Sequence, residues 1–405
     1  MIYQKTSTII AELIGESCES VEAEEVPNGI PMATFKLTTW NIEHLGRLLP
    51  IPPDNRKLKL QGIVDEITAL APDILCIQEG PGNLPDLLAW ASSPNGLQGR
   101  YQVATIPGTE AILQQNPSNP RQALQGLYAM QGNDASGNQW LWFLVRDGLF
   151  QEARATLLDP RVWRDLTRQP KWPVHDWGNL ATKQHSHWRH PQTLLLNLAG
   201  VEMEFIGVHL KSKINRMRPF DEQGELTQDY VTEALRARIR LATEAYDVRR
   251  YIERRFEQHP DPRIFVLGDL NDGPGRGHFE REFLFFDLVS NIQGDVFFAR
   301  GFLNHALFDF DDRLRWTTGF RDRVEEWSRN RPGAEVLPSE PIDPTRFQLI
   351  DHILFTQPLV GERASPRVKA GAGLVEHTIH QRINALLTQA NRTSDHVPVS
   401  VHITC

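Results

Sequence analysis

The sequence has few cysteines and no long apolar run, and each of these deficits excludes a class of protein. Cys18, Cys76 and Cys405 are the three cysteines of the 405-residue chain, and their wide spacing excludes a disulfide framework and a CxxC zinc site. No stretch approaches the ~20 consecutive apolar residues of a membrane-spanning helix. The N-terminus is acidic and has no basic segment followed by an apolar one, so it does not indicate a signal peptide. We therefore expect no membrane span and a cytoplasmic location.

The chain also lacks an excess of positive charge. Its 43 Lys and Arg residues stand against 51 Asp and Glu residues, a formal net charge of −8. Non-specific nucleic-acid binders carry a basic surface, so a polyanionic substrate would have to meet a local basic patch or a bound cation here. With 40% apolar and 23% charged residues, the composition is that of a globular protein.

The composition divides the chain into an N-terminal arm and one domain that contains two insertions. Residues 1–33 are predicted to be an N-terminal arm, because an acidic segment is followed there by prolines and a glycine. Residues 34–405 are predicted to form one domain, with insertions at about 102–138 and 276–346. The arm is also our hypothesis for a contact with a protein partner that delivers or gates the substrate; the oligomeric state stays open.

Short apolar runs with polar or Gly/Pro boundaries predict buried strands. They cover residues 35–42, 73–79, 139–145, 193–199, 203–210, 263–270, 348–355 and 397–403. Helices are predicted over Leu58–Leu70 and Val231–Phe256, the second with an apolar stripe from Leu235 through Ile239 and Ala242 to Tyr246. Strands interleaved with helices favour a layered α/β domain, whose sheet is covered by helices or by a second sheet.

Polar side chains gather at the ends of these apolar runs. Asn41 and Glu43 are two residues apart, as are Asp269 and Asn271, so each pair points to one side of an extended chain. The other polar residues at run ends are Glu79, His209, Asp351, Asp395 and His396. Oxygen ligands of this kind suit Mg²⁺ rather than zinc, and a His–Asp couple can transfer a proton or stabilise charge. Such a set is suited to the hydrolysis of phosphate esters.

Six motifs in this order resemble those of the endonuclease/exonuclease/phosphatase superfamily, which has the deoxyribonuclease-I-like fold. They are WNIEHLG (40–46), PDILCIQE (72–79), GVHLKSK (207–213), LGDLND (267–272), LIDHILF (349–355) and SDHVPV (394–399). The resemblance implies a four-layered α/β sandwich, in which two packed β-sheets are flanked by helices. It also implies a phosphoesterase site at one edge that uses Mg²⁺, with Mn²⁺ as an alternative ion.

The resemblance assigns a metal-binding role to four residues. Glu79 would be the principal ligand, with Asn41 and Glu43 in or beside the metal shell, and Asp395 would complete the site.

Five further residues would carry the reaction. Asp269 would orient or deprotonate the attacking water, and Asn271 would hold that water or the phosphate. His209 would contact the scissile phosphate, with a role as acid for the leaving oxygen as an alternative. His396, positioned by Asp351, would stabilise the transition state or act as a base.

The basic residues after His209 have two interpretations, a solvated loop or a phosphate-binding rim formed by Lys211, Lys213 and Arg216. We expect a Mg²⁺-dependent phosphodiesterase, a nuclease acting on DNA or RNA. The alternative is a phosphoesterase of small or lipid substrates such as inositol phosphates, nucleotides or sphingolipids. A catalytically silent binding module is a third reading, which the complete motif set disfavours.

An observation on the structure separates the first two functions. A basic groove around residues 209–218 would favour nucleic acid, and exposed phenylalanines near the site would favour a lipid. The candidate phenylalanine patches, residues 283–286 and 296–298, are predicted to lie in the core.

Overall fold

Two six-stranded β-sheets form the centre of the fold in the computed structural model. The structure describes residues 34–119, 123, 139–167, 174–175, 182–183, 187, 189–198, 200–273, 277–283, 288–332, 343, 345–362 and 364–405. The predicted N-terminal arm, residues 1–33, lies outside these described residues, and its role as a partner contact stays a prediction.

The strands and helices alternate through the first half of the described chain. The strands are β1 (Thr34–Asn41), β2 (Ile74–Gly80), β3 (Tyr101–Val103), β4 (Trp140–Arg146), β5 (Thr156–Leu157), β6 (Val174–His175), β7 (Thr182–Lys183), β8 (Gln192–Leu198), β9 (Val201–His209), β10 (Ile264–Asp269), β11 (Leu303–His305), β12 (Thr318–Gly319), β13 (Phe347–Gln348), β14 (Asp351–Thr356), β15 (Arg367–Val375) and β16 (Val399–Thr404). The helices are α1 (Lys57–Leu70), α2 (Leu84–Ser92), α3 (Thr109–Gln115), α4 (Asp147–Glu152), α5 (Arg161–Thr167), α6 (Gln228–Gln258), α7 (His278–Glu282), α8 (Leu288–Gln293), α9 (Arg323–Arg329) and α10 (His377–Asn384).

The first sheet has the strand order β15-β16-β1-β2-β4-β3 and the second has the order β11-β14-β10-β9-β8-β5. Within them β1 and β2 are parallel, as are β9 and β10, and the other neighbours are antiparallel. Apolar side chains of both sheets form one core between them. The eight predicted strands all overlap strands of these sheets. The predicted α/β sandwich with two packed sheets and flanking helices is confirmed.

The face of the second sheet that points to the first is set by alternation along its strands. Phe205 of β9 and Phe265 of β10 stack between the sheets with ring centroids 5.1 Å apart, and Phe355 of β14 lies beside Phe265. Residues an even number of positions apart on a strand share a face. The same inner face therefore carries, four residues away on each strand, the predicted site residues His209, Asp269 and Asp351.

Helix α6 covers the outer face of the second sheet. Leu241, Val248 and Ile252 are buried there against strand residues such as Val208. The predicted apolar stripe is wrong at its C-terminal end, because Tyr246 is 43% exposed. The helix carries apolar residues on two stripes, and the stripe that contacts the sheet is the one with Leu241, Val248 and Ile252. Among the described residues no helix, α6 included, combines the length and apolar character needed to cross a bilayer.

The two predicted insertions contain regular elements where the structure describes them. The first, at about 102–138, begins inside the edge strand β3 and includes helix α3. The second, at about 276–346, includes helices α7 to α9 and the edge strand β11. Their extents as insertions stay predictions.

A buried histidine makes the fold sensitive to acid. His377 donates a hydrogen bond to the Leu314 carbonyl at 2.8 Å, and burial lowers its pKa to about 4. Its ordinary pKa is near 6.5, so the unfolded chain binds the extra proton as the pH falls from 6.5 to 4 and the folded chain does not. We expect this residue to cost about 2 kcal/mol of unfolding free energy at pH 5 relative to pH 7.

The measurement is urea unfolding of the wild type and of His377→Gln at both pH values. The variant should be less sensitive to the pH change by the stated amount. An equal pH dependence in both proteins would contradict the assignment.

Candidate active site

Three adjacent strands of the second sheet bring their polar end residues side by side. Asp269 at the end of β10 is the register partner of His209 on β9 and of Asp351 on β14. All three side chains are buried, and His209 Nε2 lies 3.5 Å from Asp269 Oδ2. The convergence predicted from the strand-end positions therefore occurs for these residues.

Gly268 allows Asp269 to take this position. Its φ is 140°, a region that side chains disfavour, and a Cβ atom built on it would lie 1.9 Å from the Val208 carbonyl oxygen. A larger residue would push β10 away from β9 at the point where the site forms.

Both carboxylate oxygens of Asp269 are held by asparagines. Asn41, at the end of β1 in the first sheet, donates from Nδ2 to Oδ2 at 2.9 Å. The backbone N–H of Asn271 donates to Oδ1 at 2.8 Å, and its side-chain amide donates to the Leu210 carbonyl at 3.0 Å. Asp269, in the second sheet, is thus hydrogen-bonded directly to the first sheet.

His396 and Asp351 form a buried pair beside Asp269. His396 Nδ1 donates to Asp351 Oδ2 at 2.8 Å. The Ser394 hydroxyl accepts from the His396 N–H at 3.1 Å and donates to the Asn41 carbonyl at 2.6 Å, and so fixes the loop before β16 to the end of β1. The Thr317 hydroxyl accepts from the Asp351 N–H at 3.2 Å.

The burial of these groups separates their protonation states. Burial lowers the pKa of His396, but the charge of Asp351, its hydrogen bond and the charge of Asp269 outweigh burial and raise the pKa to about 10. Burial, followed by the charge of Asp351, raises the pKa of Asp269. Burial and the charges of Arg189 and His396 hold the pKa of His209 well below its usual value. At neutral pH the site holds an imidazolium at His396 and a neutral imidazole at His209.

A family model described as the Endonuclease/Exonuclease/phosphatase family matches residues 38–396, most of the described domain. The chain belongs to the endonuclease/exonuclease/phosphatase family. Membership supports a hydrolase of phosphate esters, and members of the family generally use divalent metal ions. A search of curated proteins finds no match.

Solved structures similar to this chain include several of low sequence identity. Truncated Caenorhabditis elegans TDP2 is 14% identical, with 92% of this chain and 98% of that chain covered and a TM-score of 0.47. D. rerio TDP2 complexed with single strand DNA product is 12% identical, with 92% and 100% covered and a TM-score of 0.45. The human Nocturnin catalytic domain with bound sulfate anion is 14% identical, with 92% and 95% covered and a TM-score of 0.39.

The residues at this family's site fit a hard divalent cation. Carboxylate oxygens of Asp269 and Asp351 lie within 4.8 Å of each other and of a ring nitrogen of His396, so two negative charges meet beside one imidazolium. Two buried oxygens, Asn41 Oδ1 and Asp351 Oδ1, accept no hydrogen bond from any described residue. Buried oxygens are rarely left without a partner, and oxygens are the ligands that Mg²⁺ prefers.

Glu79 lies at the same edge as Asn41. The residue before it, Gln78, is the register partner of Asn41, and Glu79 itself has a φ of 59°. Its Oε2 accepts from the His44 N–H at 2.8 Å and its Oε1 accepts from Gln139 Nε2 at 3.1 Å. These two bonds fix the carboxylate that is predicted to be the principal metal ligand.

Glu43 and Asp395 lie at the rim of this edge and face cations of the protein. Glu43 Oε2 is 2.9 Å from Lys59 Nζ, and Asp395 Oδ2 is 3.9 Å from Arg392. Each carboxylate therefore has a counter-ion in the chain, and a place in the metal shell stays a prediction for both.

Arg189 is a site residue whose role the sequence does not reveal. Its buried guanidinium donates to the carbonyls of His209 and Leu210 at 3.0 and 3.1 Å, and to Gln139 Oε1 at 2.6 Å. Because Gln139 also donates to Glu79, Arg189 joins the edge of the first sheet to that of the second. Main-chain carbonyls carry no sequence signal, so only its position near a cluster of histidines could have drawn attention to it.

The predicted basic rim follows β9 directly, but its members differ. Lys213 Nζ is 2.6 Å from Asp272 Oδ1, so its charge is neutralised within the protein. Lys211 Nζ donates to the Ser212 carbonyl at 2.8 Å and forms no ion pair with a carboxylate of the described residues. Arg216 is exposed.

Proposed function

We propose that this protein hydrolyses phosphodiesters of nucleic acid with a bound divalent cation, Mg²⁺ or alternatively Mn²⁺. The observation that carries the proposal is the position of Asp269. This buried carboxylate contacts Asn41 and His209 and lies beside the Asp351–His396 pair, so a proton acceptor, an amide and an imidazolium face one small volume.

The cation would be held by Glu79 and by the unpartnered Oδ1 of Asn41, with Glu43 and Asp395 at the rim. When bound, it would neutralise charge on the phosphate oxygens. A carboxylate fixed by neighbouring donors and an amide oxygen turned into a buried site are the donor set that Mg²⁺ prefers.

Asp269 would accept the proton of the attacking water. Burial and the charge of Asp351 raise the pKa of Asp269 to about 7. A general base works best when its pKa lies near the working pH. The bonds from Asn41 and the Asn271 N–H keep its oxygens in one orientation while the water attacks, and the Asn271 side chain lies where it could hold that water or the phosphate.

His396 and His209 would act on the phosphate in different ways. The imidazolium of His396, held by Asp351, would stabilise the negative charge that grows on phosphate oxygens and supply a proton for the leaving oxygen. The neutral His209 keeps one N–H, which would donate a hydrogen bond to the phosphate, and its lowered pKa leaves it without the second proton that an acid for the leaving oxygen would need.

The exposed residues Phe297 and Phe298 do not favour a lipid substrate at this site, because they lie away from it. Prediction of a core position for residues 296–298 is wrong, since Phe297 and Phe298 are 90% and 73% exposed. Arg300, two residues later, contacts the Pro260 carbonyl just before β10 begins, whereas Asp269 ends that strand. A six-residue strand spans ~17–20 Å, so the patch is at the opposite end of the sheet. Of the other patch, residues 284–286 lie outside the described residues.

The test is incubation with plasmid DNA, single-stranded DNA, RNA, inositol phosphates and sphingomyelin, each with Mg²⁺ and with chelator. We expect cleavage of at least one nucleic acid in Mg²⁺ and none in chelator. Turnover of a small or lipid phosphate without cleavage of any nucleic acid would overturn the substrate class, and turnover in chelator would overturn the role of the cation.

Mg²⁺ is expected to stabilise the folded protein, because buried carboxylates at one edge repel one another without it. At an Mg²⁺ concentration ten times its Kd, binding should add about 1.4 kcal/mol of unfolding free energy. The measurement is thermal unfolding with Mg²⁺ and with chelator for the wild type, Glu79→Gln and Glu110→Gln. Glu110 is an exposed carboxylate on α3 and serves as the matched control. A stabilisation that survives in Glu79→Gln would place the cation elsewhere.

A further inference from the structure

Basic side chains near the site differ in whether a carboxylate neutralises them. Lys213 pairs with Asp272, and Arg238 pairs with Glu280 at 2.8 Å. For Lys211 and Arg240, by contrast, no described carboxylate lies within ion-pair distance. An unneutralised cation beside a phosphate-binding site is available to a ligand.

Helix α6 places Arg240 beside Lys211. The Lys211 N–H donates to Glu244 Oε2 at 2.6 Å, so the loop after β9 is fixed to the helix at Glu244. Arg240 is four residues before Glu244, and residues four apart lie on the same face of a helix about 5–6 Å apart. Arg240 therefore extends the same helix face that the loop contacts.

Two like charges are thereby brought together. Burial lowers the pKa of Lys211, and the charges of Arg240 and Arg189 lower it further, whereas Glu244 and Glu233 act in the opposite direction. Burial is the largest of these causes, and among the charges the Arg240 guanidinium acts on the Lys211 amine more strongly than either carboxylate does. An anion between the two side chains would relieve their repulsion.

The position of Lys211 relates this cation pair to the reaction. Lys211 is two residues beyond His209, a distance of ~7 Å in extended chain. Arg189 fixes the intervening backbone through the carbonyls of His209 and Leu210. If a phosphate binds at His209, a second anion could therefore bind at Lys211, at a distance that the fixed backbone sets.

We infer that Lys211 and Arg240 form a second anion-binding subsite, which receives a phosphate adjacent to the scissile one in a polynucleotide. The inference rests on the proposed function. It adds that the substrate must contain more than one phosphate along its chain. A substrate with a single phosphodiester would leave the subsite empty.

The experiment compares two substrates and three variants of the full chain. A labelled single-stranded oligonucleotide contains neighbouring phosphates, and bis(4-nitrophenyl) phosphate has only one. Arg240→Gln and Lys211→Gln remove the two charges, and Arg254→Gln removes an exposed arginine on the same helix, 14 residues (~21 Å) from Arg240.

We expect Arg240→Gln and Lys211→Gln to lower kcat/KM for the oligonucleotide about tenfold more than for bis(4-nitrophenyl) phosphate. The slope of log Kd against log salt for oligonucleotide binding in chelator should fall by about 1 for each variant. Arg254→Gln should match the wild type in both measurements.

Equal losses on both substrates, or the same change of slope in Arg254→Gln, would overturn the subsite. If the wild type cleaves the oligonucleotide and Arg240→Gln cleaves it equally well, the subsite is wrong and the proposed function stands. Binding with an Arg240-dependent slope but without any cleavage would overturn the proposed function and support the subsite.

Discussion

Replacement of Asp269 by asparagine is expected to reduce phosphodiester hydrolysis by about 10²–10⁴-fold. The amide has the shape of the carboxylate and can keep a contact with Asn41, but it cannot accept the proton of the attacking water. The same change removes a buried negative charge next to Asp351, so the free energy of unfolding should not fall. The measurement is the initial rate on an oligonucleotide in Mg²⁺, combined with urea unfolding.

The separation of activity from stability is what distinguishes this prediction from simple damage to the fold. Asp147→Asn is the matched control, because Asp147 is an exposed carboxylate at the start of α4 that accepts from Gln102 at 2.9 Å. Full activity in Asp269→Asn would mean that the hydrolysis belongs to another site or to a contaminant. A large loss of stability would mean that the carboxylate is mainly structural.

Replacement of His396 by glutamine is expected to affect both activity and stability. The change removes the imidazolium that is proposed to act on the phosphate, and it leaves the buried Asp351 carboxylate without its cation. Breaking a buried ion pair at one partner costs about 3–5 kcal/mol. We therefore expect a loss of unfolding free energy of that size, together with a fall in hydrolysis of about 10²–10⁴-fold.

A second substitution separates the two effects. In the double variant His396→Gln with Asp351→Asn the uncompensated charge is gone, so most of the lost unfolding free energy should return while hydrolysis stays low. Recovery of hydrolysis along with stability would contradict a chemical role for His396. Failure to recover stability would contradict the ion pair as its source.

The main features of the site follow from the sequence because alternation along a strand is a local property. His209, Asp269 and Asp351 each end or begin an apolar run at a position in phase with inward-facing phenylalanines, so their common face could be predicted. Their mutual register could not be predicted from the runs, since it depends on which strands become neighbours. The family resemblance supplied that order.

Other features depend on partners that leave no pattern in the sequence. Arg189 binds main-chain carbonyls, and Glu43 finds its counter-ion in Lys59 on the following helix. Phe297 is the reverse case, in which a sequence pattern is present but the prediction from it is wrong. An apolar run in an insertion is buried only if an element of the fold covers it. Tyr246 faces solvent for a related reason, the choice between two apolar stripes on one helix.

The bond from Asn41 to Asp269 crosses from one sheet to the other, and it has a consequence for how this protein becomes an enzyme. The residues proposed to carry the reaction come from both layers, since Asn41 belongs to the first sheet and Asp269 to the second. A partly folded chain whose two sheets have not yet packed together would lack this bond. We therefore expect hydrolytic activity to appear only together with the final packing of the two sheets.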